Sequence, residues 1–358
     1  GRKFAAYFII LVYNSLQTPS KQTNLYPYQE KAVNTIVEEL SKIDAAGNLL
    51  FQLPTGGGKT VIFSEITNKY IQGTHNKVLI LTHRVELLSQ TAKVLRGFGI
   101  NTKIIDSNVK ELEDQDDFQC FVAMIETLNN RLIENNQFIR DISLVIVDEA
   151  HYNSFRKIFQ YFKDVNILGV TATPLSSNKQ LPLSDNYEKL IVGESIADLI
   201  KNKYLCDATT YSYNVNLKTL TIGISGDYTV SSSERVYGQR HMLDILLRAY
   251  EEKCIGKKTL IFNAGIATSI KVYEHFIANG FENIRHLDST FNRTERNNVL
   301  KWFRNTEGAV LSSVGILTTG FDEPSVESIV LNRATRSLTL YHQMVGRGSR
   351  VLKNKNQF

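Results

Sequence analysis

The chain has 358 residues, of which 42% are hydrophobic and 22% are charged, and its formal net charge at pH 7 is +5. One hydrophobic core rarely supports this length, so a single small domain is excluded and two domains are expected. The composition is ordinary for a soluble globular protein. The mild positive charge permits contact with a polyanion but does not by itself predict one.

Three cysteines, Cys120, Cys206 and Cys254, lie far apart in the sequence. Their spacing matches neither a metal-ligand set nor a redox motif, so a structural zinc is not expected. Unpaired thiols fit a reducing compartment, and we expect the protein to be cytoplasmic.

The chain begins with a short N-terminal extension, residues 1–22, whose apolar stretch Phe4–Val12 follows two basic residues. A signal peptide begins in a similar way, but no clear cleavage site follows. The stretch is too short to span a bilayer as a helix, so no membrane role is predicted. Because the chain starts at Gly1 and ends at Phe358, closely after a motif, we expect either a fragment of a longer protein, with a further domain or subunit beyond Phe358, or an upstream extension of no mechanical importance.

Residues 23–178 are predicted to form the first domain, because apolar strand-like runs alternate there with helical patterns. This alternation is typical of a parallel sheet with crossover helices. Apolar residues at helical spacing predict a helix over Glu86–Leu95. Strands are predicted at Leu49–Gln52, Val78–Leu81, Thr102–Ile105, Phe121–Ala123, Leu144–Val147 and Ile167–Val170.

Residues 179–240 are predicted to be a connecting segment. Polar Ser176–Asp185 and the Gly- and Ser-rich Ser225–Ser233 are predicted loops. Between them we expect a helix over Ile196–Tyr204 and a strand over Ala208–Leu217.

Residues 241–358 repeat the alternation and are predicted to be a second, truncated domain of the same α/β class, with helices on both faces of its sheet. Strands are expected at Thr259–Phe262, Ile284–Leu287, Ala309–Leu311 and Ser328–Leu331, and helices at Met242–Cys254, Ile266–Asn279, Thr294–Arg304 and Leu338–Val345.

A glycine-rich loop, Thr55-Gly56-Gly57-Gly58-Lys59-Thr60, follows the first of these strands. Glycines let backbone amides approach phosphates, and the following helix directs its positive dipole end at them. Lys59 is predicted to reach the β and γ phosphates, and the Thr60 hydroxyl to bind Mg²⁺. The alternative is a flexible strand-to-helix turn. The glycine that usually leads this pattern is absent, because Leu53 and Pro54 occupy the two possible positions.

The pair Asp148 and Glu149 ends an apolar strand, where folds of this class bind ligands. Asp148 is predicted to hold Mg²⁺, and Glu149 to orient and deprotonate the attacking water. The alternative is a helix start that favours acidic residues. His151 either couples the site to Thr171 and Thr173 or is a satisfied polar residue.

Gln29 follows Tyr26 and Pro27 at the start of a predicted helix. A glutamine amide can pair with the Hoogsteen edge of adenine, so we expect ATP to be the nucleotide that is hydrolysed. Tyr26 is placed beside the same base. The alternative for Gln29 is an exposed helical glutamine.

Two arginines, Arg347 and Arg350, lie one helical turn apart near the end of the chain. Guanidinium groups suit the charge of a transferring phosphoryl group, and in the second domain they would make hydrolysis depend on closure of a cleft between domains. The alternative is a basic surface turn.

The order of these motifs resembles the superfamily 2 helicases and translocases of the DEAD/DEAH-box type, over about Leu25 to Arg350. The similarity is closest to bacterial DEAH-type proteins, a group that includes repair helicases and restriction-enzyme motor subunits. His83 departs from the usual residue next to Arg84. The motifs are Tyr28-Gln29, the Lys59 loop, Thr82 to Leu87, Asp148 to His151, Thr171 to Pro174, Thr259 to Asn263, Leu317 to Asp322 and Gln343 to Arg350.

The resemblance implies two tandem RecA-like domains, each a mostly parallel sheet with helices on both faces, with ATP between them and a nucleic-acid strand across both. It implies that Gly320 and Asp322 contact the nucleotide and that Gln343 lies near the γ phosphate. Thr171 and Thr173 would couple hydrolysis to grip on the strand.

Polar residues at several strand ends predict a groove that follows a nucleic-acid backbone. Each alone would be a helix cap in most proteins. A basic cluster at Arg333, Arg336, Lys353 and Lys355 either extends the groove or is a solvated face. The predicted contacts are Thr82, Arg84, Thr127, Asn263, Thr318 and Thr319.

Together these features predict an ATP- and Mg²⁺-dependent nucleic-acid helicase or translocase, with DNA favoured over RNA. Two alternatives remain open. One is a duplex DNA translocase of a restriction or remodelling complex that does not separate strands. The other is a nucleotide-regulated clamp on nucleic acid.

Overall fold

The computed structural model of the chain describes residues 7–14, 25–42, 47–72, 76–176, 178, 180–318, 321 and 323–351. They fall into two compact units. The first is drawn from Ser20–Asp198, and the second from Gly1–Pro19 together with Leu199–Phe358. The predicted α/β class with two RecA-like domains is confirmed, since each unit is built on a mostly parallel sheet with helices.

The strands, in chain order, are β1 (Tyr7–Asn14), β2 (Asn48–Gln52), β3 (Lys77–Thr82), β4 (Thr102–Ile105), β5 (Cys120–Met124), β6 (Ile142–Asp148), β7 (Asn166–Thr171), β8 (Lys189–Val192), β9 (Asp207–Asn214), β10 (Thr259–Asn263), β11 (Ile284–Leu287), β12 (Val310–Ser313) and β13 (Ser328–Asn332). The helices are α1 (Pro27–Lys42), α2 (Lys59–Gln72), α3 (Val85–Gly97), α4 (Ile125–Glu134), α5 (Arg156–Phe159), α6 (Ile196–Lys201), α7 (Val230–Tyr237), α8 (Arg240–Lys253), α9 (Ile266–Ala278), α10 (Arg293–Asn305) and α11 (Leu338–Val345).

The sheet of the first unit has the order β4-β5-β3-β6-β7-β2-β8, and all its neighbouring strands are parallel. Every residue of β3 is buried, as expected for a strand covered on both faces. Strand β7 lies between β2 and β6. The carboxyl ends of these three strands therefore meet at one edge of the sheet, which brings together the loops that follow Gln52, Asp148 and Thr171.

The sheet of the second unit has the order β11-β12-β10-β13-β1-β9. The first four strands are parallel, and β1 is antiparallel to both β13 and β9. Side chains of successive strand residues point to opposite faces. Leu260 and Phe262 accordingly belong to one hydrophobic cluster and Ile261 to another, so helices cover both faces of this sheet.

The unit boundaries differ from the predicted domain boundaries. Strand β1 comes from the predicted extension 1–22, and β9 comes from the predicted connecting segment 179–240, yet both pair in the second sheet. Strand β8, also from that segment, pairs in the first sheet. These pairings join stretches that are about two hundred residues apart for β1 and β9 and more than three hundred apart for β1 and β13, and no local sequence signal specifies them.

The prediction of a loop over all of Ser225–Ser233 is wrong, because α7 begins at Val230. The side chain of Thr229 caps this helix by accepting a hydrogen bond from the backbone N–H of Ser232. Serine and threonine have modest helix propensity but are preferred caps, and here the cap outweighs the loop-like composition.

Candidate functional site

The glycine-rich loop lies between β2 and α2, and its backbone requires glycine at two positions. Gly56 and Gly58 have φ angles of 92° and 83°, in the left-handed region that favours glycine. A β-carbon added to Gly57 would lie 2.8 Å from Leu53 Cγ, so this glycine also permits close packing. Glycine at these positions thus places no side chain between the loop backbone and a ligand, as a phosphate cradle requires, while the Gly57 N–H itself donates to the Pro54 carbonyl.

Two residues in the first turn of α1, Tyr28 and Gln29, contact this loop. The Tyr28 hydroxyl donates to the Gly57 carbonyl over 2.8 Å. Gln29 Nε2 lies 3.4 Å from the same carbonyl, and Gln29 Oε1 accepts from the Tyr26 backbone N–H at 3.0 Å. Gln29 is buried, so the alternative of an exposed surface glutamine is excluded. In this conformation its amide holds the loop, and a contact with adenine stays a prediction.

Lys59 and Thr60 open α2 and are both partly exposed. Lys59 Nζ lies 3.5 Å from the Leu53 carbonyl, a weak contact that leaves most of the hydrogen-bonding capacity of the ammonium available. The Thr55 hydroxyl is buried without a hydrogen-bond partner. An orphaned hydroxyl costs free energy unless a partner arrives, so this loop fits a polar ligand such as a phosphate.

Asp148 ends β6, and Glu149 follows in a left-handed conformation with φ of 55°. The Glu149 backbone N–H donates to Asp148 Oδ1 at 3.0 Å. Burial, and then the nearby charge of Glu149, raise the pKa of Asp148, while the Lys59 ammonium opposes the rise. Two buried carboxylates at one strand end repel each other, so a bound cation would stabilise both in their ionised form.

His151, Thr171 and Thr173 form one hydrogen-bonded group beside these carboxylates. His151 Nδ1 lies 3.0 Å from Thr171 Oγ1 and 3.4 Å from Glu149 Oε2. Thr171 Oγ1 donates to the Thr173 carbonyl at 3.0 Å. Burial lowers the pKa of His151, which keeps the ring neutral near pH 7. The structure therefore brings the predicted coupling residues together, and their role in coupling stays a prediction.

Arg347 of the second unit binds the loop that follows β12. Its Nη1 donates to the Phe321 carbonyl at 2.5 Å, and its Nη2 donates to the Thr318 carbonyl at 2.7 Å. Helix α11 ends at Val345, before both arginines. The argument that Arg347 and Arg350 share a helical face is therefore wrong. Arg350 is partly exposed, and its carbonyl accepts a hydrogen bond from the Cys206 thiol.

Gln343, on α11, is 5% exposed, and its Nε2 has no hydrogen-bond partner. A buried amide donor without a partner is costly, so this residue fits a site that a polar ligand completes. The predicted site residues Thr319, Gly320 and Asp322 lie outside the described residues.

Three of the predicted nucleic-acid contacts are buried and hydrogen-bonded within the fold, namely Thr82, Asn263 and Thr318. The Thr82 hydroxyl donates to the Arg84 carbonyl, and the Thr318 hydroxyl donates to the Gly315 carbonyl. In this conformation the Thr82 and Thr318 hydroxyls and the Asn263 amide are hydrogen-bonded within the fold, and direct contact with nucleic acid stays a prediction for them. Arg84 and Thr127 are partly exposed and stay candidates.

Asn263 belongs to a chain of side-chain hydrogen bonds that crosses the four parallel strands of the second sheet near their carboxyl ends. This hydrogen-bond chain was not predicted, because its members come from four strands, a helix and Asp288 directly after β11, and they are adjacent only in the fold. Its links are Asn332 Nδ2 to Asn263 Oδ1 (2.7 Å), Asn263 Nδ2 to Ser312 Oγ (3.0 Å), Ser312 Oγ to Ser269 Oγ (2.8 Å), Ser269 Oγ to His286 Nδ1 (2.8 Å) and His286 Nε2 to Asp288 Oδ2 (2.7 Å).

The start of α9, which follows the predicted contact Asn263, has an acidic partner. Glu234 Oε1, from α7, accepts a hydrogen bond from the Ala267 N–H at 2.9 Å. Gly265 has no room for a β-carbon beside this carboxylate. A carboxylate thus accepts a backbone N–H at the positive end of this helix dipole.

The predicted basic cluster is divided by the fold. Arg333 is largely buried and lies 3.8 Å from Asp227, and burial lowers the pKa of its guanidinium. Arg336 is exposed. Lys353 and Lys355 lie outside the described residues. Arg333 is therefore an internal partner of Asp227 and not part of a solvated face.

Within the described part of the chain, no helix is both long and apolar enough to cross a membrane. The same residues hold no cluster of three or more His, Cys, Asp or Glu side chains suited to a metal ion. Magnesium usually needs only one or two protein ligands beside water and phosphate, so Thr60 and Asp148 meet its requirement with a nucleotide present.

Comparison with known proteins finds a family match in each of the two units. Residues 22–176 match the family described as type III restriction enzyme, res subunit, and residues 239–351 match the helicase conserved C-terminal domain. The chain belongs to the superfamily 2 helicases. The presumed ATP-dependent helicase IRC3 of Saccharomyces cerevisiae is 30% identical to this superfamily 2 chain over 352 residues, which cover 93% of the chain and 50% of IRC3.

Further relatives and solved structures are similar to the chain. A 51.5 kDa protein of a Lactococcus phage is 28% identical over 86% of the chain and 63% of its own length. This chain thus spans about half to two thirds of the length of these relatives. In fold it resembles the type ISP restriction-modification enzyme LlaBIII bound to DNA, with a TM-score of 0.66, 18% identity, and coverage of 94% of this chain and 27% of that one.

A second solved structure with a similar fold is S. cerevisiae Dbp5 bound to RNA and ADP BeF3. Its TM-score is 0.57 at 19% identity, with coverage of 91% of this chain and 84% of that chain. The fold of this superfamily 2 chain is therefore shared by proteins solved with DNA and by proteins solved with RNA.

Proposed function

We propose that the chain is the motor of an ATP-dependent nucleic-acid helicase or translocase, with DNA favoured over RNA. One observation carries the proposal. The glycine-rich loop, the buried Asp148 with the partly buried Glu149, and the His151–Thr171 pair lie at the adjacent carboxyl ends of β2, β6 and β7. Open α/β sheets bind ligands at this edge.

In this proposal the chain's own groups bind the nucleotide and activate water. The amides of Gly56 to Gly58 and the Lys59 ammonium hold the phosphates, while Thr60 and Asp148 hold Mg²⁺. ATP supplies the phosphoanhydride bond that is cleaved, and Mg²⁺ supplies positive charge. Glu149 orients a water molecule and accepts its proton. His151 fixes the Glu149 carboxylate and links it to Thr171 through Nδ1.

The second unit would complete hydrolysis in a cleft between the domains. Gln343 offers an unpartnered amide, and Arg347 and Arg350 offer charge for the transferring phosphoryl group. For Arg347 this role requires release from the carbonyls of Thr318 and Phe321. Such an exchange would make hydrolysis depend on domain closure, and closure would drive movement along a strand.

DNA is favoured because residues 22–176 match a restriction-enzyme subunit family. The buried thiols of Cys120, Cys206 and Cys254 support a reducing compartment such as the cytoplasm. A duplex translocase that leaves strands paired is the second candidate, since LlaBIII, a restriction-modification enzyme, shares the fold. A nucleotide-regulated clamp is the third, and it differs by slow turnover.

The deciding experiment measures ATPase rate with single-stranded DNA, duplex DNA and RNA at matched salt, because backbone binding depends steeply on ionic strength. A helicase is stimulated by single strands and separates a labelled duplex. A duplex translocase is stimulated by duplex and displaces only a triplex strand. The Lys59→Ala protein controls for contaminating ATPase. Absence of stimulation by all three polymers contradicts the motor proposal.

A further inference from the structure

A contact between three aromatic rings joins two loops of the first unit. The ring centroid of Tyr152 lies 4.2 Å from that of His83 and 4.3 Å from that of His151, with interplanar angles of 36° and 37°. Rings at this separation are in van der Waals contact, so none can shift far without moving its neighbour.

One end of this contact lies in a loop proposed to meet nucleic acid. His83 stands between Thr82, the last residue of β3, and Arg84, the N-cap of α3. Arg84 is partly exposed, and no side chain caps the helix there. A phosphate drawn to Arg84 would act directly on the backbone that carries His83.

The other end lies at the proposed hydrolytic group. His151 Nδ1 is 3.4 Å from Glu149 Oε2 and 3.0 Å from Thr171 Oγ1. A small rotation of this ring therefore changes the position of the carboxylate that would accept a proton from water. General-base catalysis is sensitive to such displacement, because the base must stay within hydrogen-bond reach of its proton.

We propose that His83 and Tyr152 are positioning residues that transmit the binding of nucleic-acid phosphates at the Thr82–Arg84 loop to Glu149 through His151. The link lies wholly within the first unit and reaches Glu149 through His151, which is also hydrogen-bonded to Thr171. It rests on the proposed motor function. Neither residue touches the nucleotide in this role, so the link sets the stimulation of hydrolysis and not its basal rate.

The first test compares Tyr152→Leu with Tyr152→Phe in nucleic-acid-stimulated and basal ATPase assays. Ring pairs of this kind contribute enough for the leucine variant to lose about two- to tenfold of the stimulation ratio. The phenylalanine variant keeps the ring and should keep the ratio. Basal rate and KM for ATP should change less than twofold in both. An equal loss of basal and stimulated rates would show a merely structural role and overturn the proposal.

A double-mutant cycle tests whether the rings act as one path. His83→Ala should reduce the stimulation ratio as Tyr152→Leu does, and the double variant should be no worse than either single variant. Additive losses would overturn the link. Phe118→Leu is the matched control, because the Phe118 ring also contacts an aromatic ring, that of Phe121, in the same unit but lies more than thirty residues before Tyr152 in the sequence. It should leave the stimulation ratio unchanged.

The failure of this link is distinguishable from failure of the motor proposal. If nucleic acid stimulates ATP hydrolysis by the wild-type protein and by Tyr152→Leu equally, the proposed link is wrong and the motor proposal is unaffected. If no polymer stimulates the wild type, the motor proposal fails first. Thermal unfolding of each variant separates loss of coupling from loss of fold, and His83→Phe, which restores a ring, should recover the stimulation ratio.

Discussion

Gln29 leaves no room for a side chain at residue 58, since a β-carbon added to Gly58 would lie 2.4 Å from Gln29 Nε2. The φ angle of Gly58 is 83°, which alone disfavours any other residue. Two separate free-energy costs therefore oppose substitution of Gly58. One is backbone strain, and the other is displacement of the Gln29 amide that holds the glycine-rich loop.

The first prediction separates these costs with a matched pair of variants. Gly99 has a φ of 79° and open space where a β-carbon would lie. Gly99→Ala should therefore lose only about 1 kcal/mol of unfolding free energy, from backbone strain. Gly58→Ala should lose more and also weaken ATP binding at least tenfold. Urea unfolding and nucleotide titration measure both. Equal effects of the two variants on ATP affinity would contradict the proposed contact.

The second prediction concerns turnover. Lys59→Ala and Glu149→Gln should each lower ATP hydrolysis by at least about a hundredfold, because one removes phosphate charge and the other removes the base. The circular dichroism spectrum and unfolding midpoint should stay close to wild type. Lys69→Ala, an exposed lysine on the same helix as Lys59, is the control and should hydrolyse ATP normally. Wild-type rates in either site variant would refute the assigned roles.

Most residues of the candidate nucleotide site in the first unit could be predicted from the sequence, because its motifs are local in the chain. The strand before Gly56 and the strand before Asp148 each carry their functional residues directly at the end, so strand order alone brings them together. Support from Tyr28 for the loop was missed, because its hydroxyl reaches Gly57 across 29 positions of sequence. Only the folded position of α1 shows this contact.

Long-range pairing explains the other differences. Strand β1 is identified by its partners, Ile9 opposite Leu331 and Ser212, and not by alternation in its own sequence. Polar residues at strand ends were predicted as ligands for nucleic acid, but Asn263 is 1% exposed and pairs within the sheet. A polar residue after a strand marks a functional edge, yet sequence alone does not tell whether its side chain faces solvent or a neighbouring strand.

The third prediction concerns Arg347. Its guanidinium donates to two backbone carbonyls in the structure and is proposed to contact the transferring phosphoryl group during hydrolysis. Arg347→Ala should lower kcat for ATP by at least about a hundredfold while changing nucleotide affinity less than about threefold. Because it also leaves the Thr318 and Phe321 carbonyls without their donor, unfolding free energy should fall by about 1–3 kcal/mol. Equal losses of affinity and rate would argue against a role in the transition state.

A conservative variant separates the two contacts. Arg347→Lys keeps the charge but not the planar fork that reaches two carbonyls at once. It should recover part of the unfolding free energy and little of the rate. The exposed Arg336 provides the control, and Arg336→Ala should change neither ATP hydrolysis nor stability by a measurable amount.

The fourth prediction concerns the side-chain hydrogen-bond chain of the second sheet. Ser312→Ala removes a buried acceptor for Asn263 Nδ2 and a partner for Ser269 Oγ, so unfolding free energy should fall by about 1–3 kcal/mol. His286→Leu, which interrupts the next links, should cost a similar amount. Ser231→Ala, at an exposed helical position, is the control and should be neutral. A double Ser312→Ala, His286→Leu variant should lose less than the sum, because the links polarise one another.

The fifth prediction concerns the pH dependence of stability without divalent cations. Burial and the neighbouring Glu149 raise the pKa of Asp148 to about 7, above its value of about 3.9 in an unfolded chain. The native state then holds the Asp148 proton more tightly than the unfolded chain does. This contribution to stability is complete below about pH 4 and is lost as pH rises through the native pKa.

Asp148→Asn has no proton to lose, so it should gain stability relative to wild type as pH rises from 5 to 8. Urea unfolding of both proteins at the two pH values in EDTA measures the difference. Since Mg²⁺ with nucleotide favours the ionised carboxylate, adding both at pH 8 should stabilise the wild type and not the variant. A stability difference that stays constant between pH 5 and pH 8 would show that Asp148 is already ionised in the cation-free protein.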